Sequence, residues 1–292
     1  MKLRADAFAA QTRAVVIGIG SYRSAGFAKL KSPETDATRV AEALRDPAGC
    51  GIPTDQVTCL TTEQGLIPTR SKVLEAIQEA VELTPEDGTL IVYFGGHGAR
   101  EGDHFFLCTT EANADNLSKT CVGDADLDTV LMESVARGVI VILDCCESAS
   151  FAELAPSFFR RLGNGEFRIL LSASRADERS WEFANGGGTL FTRYLIRALR
   201  GEDAVSEPSG AIYFGDLLNY LRQRVADDIE GRYKDHPPQE PVFCGVYSED
   251  PLLFVHRGLT LRQIRFKTNR YSRDYMRRII RRLVFGSLVS TV

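Results

Sequence analysis

Two short stretches of the chain hold the residue types that thiol chemistry needs. One is Gly95-Gly96-His97-Gly98 and the other is Asp144-Cys145-Cys146-Glu147-Ser148. A cysteine attacks as its thiolate, and a neighbouring imidazole that accepts the proton or pairs with the thiolate supplies that form. His97 and Cys146 stand 49 positions apart, so they meet only if the segments leading into them lie side by side. Glycines around His97 allow a sharp turn and a close approach of backbone to substrate. The amides of Gly98 and Cys146 then suit the oxyanion of a tetrahedral intermediate.

Each reactive stretch follows an apolar run, Thr89–Phe94 in one case and Val139–Leu143 in the other. Runs such as LIVYF and VIVIL are apolar on consecutive residues, as a strand buried on both faces requires. Further runs at Ala14–Ile19, Val57–Leu60, Arg168–Ser172 and Pro241–Tyr247 read as strands, with a short apolar run at Ala211–Phe214. Helical patterns fall at Asp36–Leu44, Arg70–Glu82, Leu127–Ala136, Thr189–Arg200 and Phe214–Asp228. Strand and helix alternation of this kind predicts an α/β fold, a mostly parallel central sheet with helices on both faces. In such a sheet functional groups collect beyond the carboxyl ends of the strands, where both reactive stretches would share one rim.

Composition narrows the function classes. The 292 residues are 44% hydrophobic and 25% charged, ordinary for a globular chain with a sizeable core, and the net charge of −4 argues against a nucleic-acid partner. Seven cysteines, an odd number with two adjacent, make a poor disulfide framework and point to a reducing, cytoplasmic setting. No C-x-x-C occurs and the four histidines are scattered, so no structural zinc site is expected. Gly18-Ile19-Gly20 follows a strand, but Arg23 takes the third glycine position of a dinucleotide-binding turn. The amino terminus carries no secretory signal. Residues Arg257–Arg282 change character, with ten Lys or Arg against Asp274 alone, and mark a boundary near residue 257. The expected organisation is a 12–256 domain, divided into a larger catalytic part at 12–153 and a smaller part at 166–256, followed by a basic helical tail at 257–292.

The two reactive stretches resemble those of the caspase and metacaspase family of cysteine peptidases. Gly95-Gly96-His97-Gly98 is similar to the family's histidine motif, and Asp144-Cys145-Cys146-Glu147-Ser148 to the metacaspase Asp-x-Cys-His-Ser-Gly. The spacing of histidine and cysteine also fits the roughly fifty residues of caspases. Ala14–Ile19 with Tyr22, Leu30 and Asp36-Ala37 resembles the opening of that fold. Leu171-Ser172-Ala173-Ser174, Gly188-Thr189-Leu190-Phe191-Thr192 and Gln239-Glu240-Pro241 resemble the smaller part of bacterial caspase-like domains. Glu147 in place of the usual His, Ala149 in place of Gly and Gly95 where many metacaspases carry Ser are departures, none of which removes a catalytic atom.

The resemblance implies an endopeptidase acting on protein or peptide substrates through an acyl-enzyme, with Cys146 as nucleophile, His97 as base and Cys145 in the motif's variable slot. It implies a substrate pocket built from Asp36 and Asp144, with Ser172 and Ser174 alongside, that accepts Arg or Lys before the cleaved bond. No cofactor is required. Calcium is the one accessory ion implied, by Asp124, Asp126 and Asp128 with Glu153, although alternating acids also form solvated faces and helix caps. The dibasic pair Arg160-Arg161 offers a self-cleavage site between the two parts. The tail suggests membrane association or the flank of a span in a longer parent protein with a sensor module. A catalytically silent scaffold and a peptide ligase on the same fold are the competing classes.

Overall fold

The computed structural model describes residues 2–62, 65, 67–145, 165–174, 187–203, 205, 210–232 and 239–255. Strands β1 (Thr12–Gly18), β2 (Val57–Leu60), β3 (Thr89–Gly95), β7 (Gly138–Asp144), β8 (Phe167–Ser172) and β10 (Val242–Tyr247) form a six-stranded sheet. Its order is β10-β8-β7-β3-β1-β2. All neighbours are parallel except β10, which runs antiparallel to β8 at the edge. The α/β class with a mostly parallel sheet and helices on both faces is therefore borne out.

Residues of β3, β7 and β8 are buried throughout, which accounts for their unbroken apolar runs. Alternation along these strands divides them between two cores. Ala14, Val16, Ile91, Tyr93, Ile140 and Ile142 face one core with helices α2 (Pro33–Arg45), α6 (Leu190–Leu199) and α7 (Phe214–Arg232). Val15, Ile17, Leu90, Val92, Val139 and Val141 face the other with α3 (Arg70–Leu83) and α5 (Asp124–Met132). Gly18 is where α2 comes down on the sheet: a Cβ there would lie 2.4 Å from the Pro33 carbonyl oxygen and 2.6 Å from Ala37 Cβ. The first glycine of Gly18-Ile19-Gly20 thus serves helix packing.

Several elements depart from the sequence expectation. Helix α2 begins at Pro33, since proline at a first helical position loses no hydrogen bond and Glu34 and Asp36 suit the first turn. Helix α5 begins at Asp124 and ends at Met132, earlier than the apolar pattern suggested, because Asp126 caps it by accepting from the Gly123 amide at 2.9 Å. A second sheet of β4 (Gly98–Glu101), β5 (His104–Leu107) and β6 (Val122–Gly123), with the single-turn α4 (Leu117–Thr120) between β5 and β6, had no sequence counterpart. Nor had α1 (Lys2–Gln11), which packs Ala5 and Phe8 against Val255 of β11 (Leu252–Val255). Strand β11 pairs antiparallel with β9 (Ala211–Tyr213).

Candidate active site

Strands β3 and β7 are neighbours, in register from Thr89 opposite Gly138 to Gly95 opposite Asp144. The Gly96 amide donates to the Asp144 carbonyl at 3.4 Å, so the residue after β3 lies beside the end of β7. This is the condition that two residues 49 positions apart require in order to meet. Cys145 is 1% exposed and belongs to the core on the α3 and α5 side, which withdraws it from any cleft. Cys146 lies outside the described residues, as do Glu153, Arg160, Arg161 and the 257–292 tail.

His97 is held at several points. Its backbone N–H donates to the Tyr22 hydroxyl at 2.8 Å, and that hydroxyl donates to the Ile19 carbonyl at 2.9 Å. Its ring packs beside Tyr22 and Phe27, at centroid separations of 5.0 and 5.9 Å. Its Nε2 lies 2.8 Å from the Ala28 carbonyl oxygen. A carbonyl only accepts, so Nε2 carries a proton, and the lone pair of the neutral form of the ring lies at Nδ1. Burial pushes the Tyr22 hydroxyl's pKa well up, so it stays protonated as a donor. Gly96 makes room for this hydroxyl, because a Cβ there would lie 3.0 Å from it.

The geometry of β4 bears on Gly98. The Cys108 amide donates to the His97 carbonyl at 3.0 Å, and the register pairs Gly98 with Leu107. In an alternating antiparallel ladder this makes Gly98 and Leu107 a non-hydrogen-bonded pair, with the Gly98 amide directed away from β5.

Asp36 and Asp144 do come together, through Thr189. Both are buried, at 2% and 5% exposure. The Thr189 amide donates to Asp36 Oδ2 at 2.8 Å, and the Thr189 hydroxyl donates to Asp144 Oδ2. The Thr192 hydroxyl donates to the same Asp144 oxygen at 2.6 Å and lies 2.8 Å from the Tyr93 hydroxyl. Tyr93 is held neutral by burial and by the two carboxylates near it. Thr189 and Thr192 entered the sequence reading only within the Gly188–Thr192 stretch of the family resemblance, and Tyr93 only within a strand; none was given a role at this site.

Ser172 and Ser174 sit at the end of β8, beside the end of β7, and both are fully buried. The Ser172 hydroxyl donates to the Ser174 carbonyl at 2.7 Å, and Gln239 Nε2 donates to the carbonyl of Ala173 between them at 3.0 Å. A cavity of about 470 Å³ is lined by Asp36 together with Arg39, Arg193, Arg197, Arg200 and Glu202. Its four guanidinium groups outnumber its two carboxylates, so this face of Asp36 is basic.

The acidic run at the start of α5 does not form an open oxygen shell. Asp126 spends one carboxylate oxygen on Arg70 at 2.6 Å and the other on the Gly123 amide. Asp124 faces His104 Nδ1 at 3.2 Å. Among the described residues no three His, Cys, Asp or Glu side chains stand together to hold a metal ion, so the described part of this run does not fit calcium.

A histidine loop and a cysteine-bearing loop at adjacent parallel strand ends, with the sheet order found here, define a caspase-type cysteine peptidase fold. A family model for the caspase domain, peptidase family C14, matches residues 11–245, and the chain belongs to that family. A protein from Geobacter sulfurreducens is similar in structure, with a TM-score of 0.59 at 18% identity over 86% of this chain and 99% of that one. Caspase-1 from Spodoptera frugiperda is also similar, with a TM-score of 0.54 at 14% identity over 87% of this chain and 93% of that one. At these identities the likeness extends to the fold. A search of curated proteins found no matching sequence.

Proposed function

We propose that this chain is a cysteine endopeptidase that cleaves after Arg or Lys by means of a Cys146–His97 dyad. The reading is supported above all by His97, whose Nε2 is committed to the Ala28 carbonyl so that Nδ1 is left as the basic nitrogen. His97 Nδ1 takes the proton of the Cys146 thiol, and the sulfur adds to the scissile carbonyl. The amides of Gly98 and Cys146 receive the oxyanion. As the tetrahedral intermediate collapses, the imidazolium gives its proton to the leaving amine and a thioester remains. His97 then activates water to hydrolyse it, and the thiol is regenerated.

Specificity rests on the two carboxylates that converge on Thr189. A guanidinium brings several donors to replace the two that Thr189 supplies, with the added gain of opposite charge. An aspartate side chain at the same place would face two like charges and is rejected. Fluorogenic peptides differing only in the residue before the cleaved bond test this. Arg or Lys is expected to exceed Asp by about a hundredfold or more in kcat/KM, with the activity absent in Cys146→Ala and His97→Ala. Faster cleavage after Asp would overturn the pocket, and undiminished cleavage in Cys146→Ala would overturn the dyad. Product analysis with an added amine separates hydrolysis from peptide ligation.

A further inference from the structure

Cys108 and Cys121 take no part in the chemistry above, yet the fold sets them opposite one another. Strands β5 and β6 pair Phe106 with Gly123 and Leu107 with Val122, and one further step of the same register pairs Cys108 with Cys121. The Cys108 amide points to β4, where it donates to the His97 carbonyl. The Cys121 amide donates to the Leu117 carbonyl at 2.8 Å, and the Cys121 carbonyl accepts from Arg70 Nε at 2.9 Å. Neither backbone bonds the other, so this is a non-hydrogen-bonded cross-strand pair, the kind whose side chains approach most closely. Such pairs have Cα atoms about 4.5 Å apart. Disulfides span Cα separations of about 4.4–6.8 Å, so the bridge can form here without a large backbone shift.

We propose that Cys108 and Cys121 form a site of reversible oxidation, closing to a disulfide with a peroxide as oxidant. Both are free thiols with no solvent exposure, packed in one small cluster with Phe106, Ala112 and Leu117. The contact between the two thiols favours a thiolate within the pair, opposed by burial.

One sulfur of the pair, as thiolate, attacks one peroxide oxygen, breaking the O–O bond to give a sulfenic acid and, with a proton, one water. The other sulfur then displaces the sulfenic oxygen, its own proton leaving with that oxygen as the second water. Two electrons pass from the sulfur pair to the peroxide. Access is by local opening: β6 has two residues and α4 four, and elements this short open well below the global unfolding free energy. The bridge would fasten β5 to β6 directly behind the loop that carries His97. The proposal is independent of the peptidase reading, because its test needs no activity.

The full chain is treated with hydrogen peroxide, alkylated with N-ethylmaleimide in denaturant, and mapped by mass spectrometry without reduction. The expected product is a Cys108–Cys121 linked peptide about 2 Da lighter than its reduced halves, lost on adding dithiothreitol, with Cys50 and Cys59 still alkylated. Cys121→Ser is expected to leave Cys108 alkylated, and the wild-type map decides the question if that variant does not fold. Full alkylation of both residues after treatment would overturn the proposal. So would a link from Cys108 to Cys145, a link scattered over all the cysteines, or oxidation to sulfinic acid without a link.

Discussion

Removing a single hydroxyl from the residue that carries the His97 loop isolates how that loop is positioned. Tyr22→Phe keeps the ring beside His97 and Phe27 but deletes the hydroxyl that accepts from the His97 amide at 2.8 Å and donates to Ile19 at 2.9 Å. Each buried polar group left without a partner costs about 1–3 kcal/mol, so the variant should melt earlier yet still fold. The loop would recover part of that loss by shifting to reach water. A displacement of about 1 Å at a reacting group costs on the order of a hundredfold in rate, so kcat should fall by about ten- to a hundredfold. KM should hardly change, since the Tyr22 hydroxyl bonds His97 and Ile19 and not the two carboxylates proposed to bind substrate. Because burial keeps the Tyr22 hydroxyl protonated, the ratio of wild-type to variant rates should be flat with pH. Steady-state kinetics over a pH series, with thermal melts alongside, make the measurement. A variant with kcat within about twofold of wild type would refute the positioning argument.

Cys145→Ala should retain peptide cleavage and lose about 1 kcal/mol of stability, because the side chain it trims lies in the core and not in the cleft. Denaturant melts and the fluorogenic assay check both halves, and loss of cleavage in a folded protein would reverse the choice between the adjacent cysteines. Gly188→Ala should be far more damaging, since Gly188 has φ +99° and a Cβ there would meet Asp36 Oδ1 at 2.4 Å. Cleavage after Arg is expected to fall by at least about tenfold, with a lower melting temperature; wild-type activity and stability would contradict the packing of this segment on Asp36.

The sheet was legible because its strands are buried on both faces. Ile91, Val92, Tyr93 and Phe94 have no choice of environment, and neither have Ile140, Val141 and Ile142, so composition alone marks them. Placement of His97 followed from the same signal, since it depends on where an apolar run stops. What orients the His97 ring was not legible: Ala28 acts through its backbone carbonyl, which every residue type offers. The β4, β5 and β6 sheet escaped notice because it is short and lies half in solvent, where Arg100, Glu101 and His104 break the pattern. The acids at 124, 126 and 128 supported two readings, and Arg70, 56 positions from Asp126 in sequence, decided between them for Asp126.

Two buried carboxylates at the end of a sheet would repel one another and be costly to desolvate, so an acidic pocket has to be compensated before any substrate arrives. Here the compensation comes from the start of α6. Thr189 caps that helix, accepting from the Thr192 amide at 3.1 Å, while its own amide and hydroxyl reach Asp36 and Asp144. The helix amino terminus adds its partial positive charge close to both carboxylates. The same contacts tie the start of α6 to the first turn of α2, which holds Asp36, and to the end of β7, which holds Asp144. On the proposed specificity, a cationic side chain would compete with, or add to, the donors of this helix terminus. The gain from a correct substrate would then fall where the start of α6 meets α2 and β7, and on the proposed reading binding energy spent there would favour the arrangement that cleavage requires.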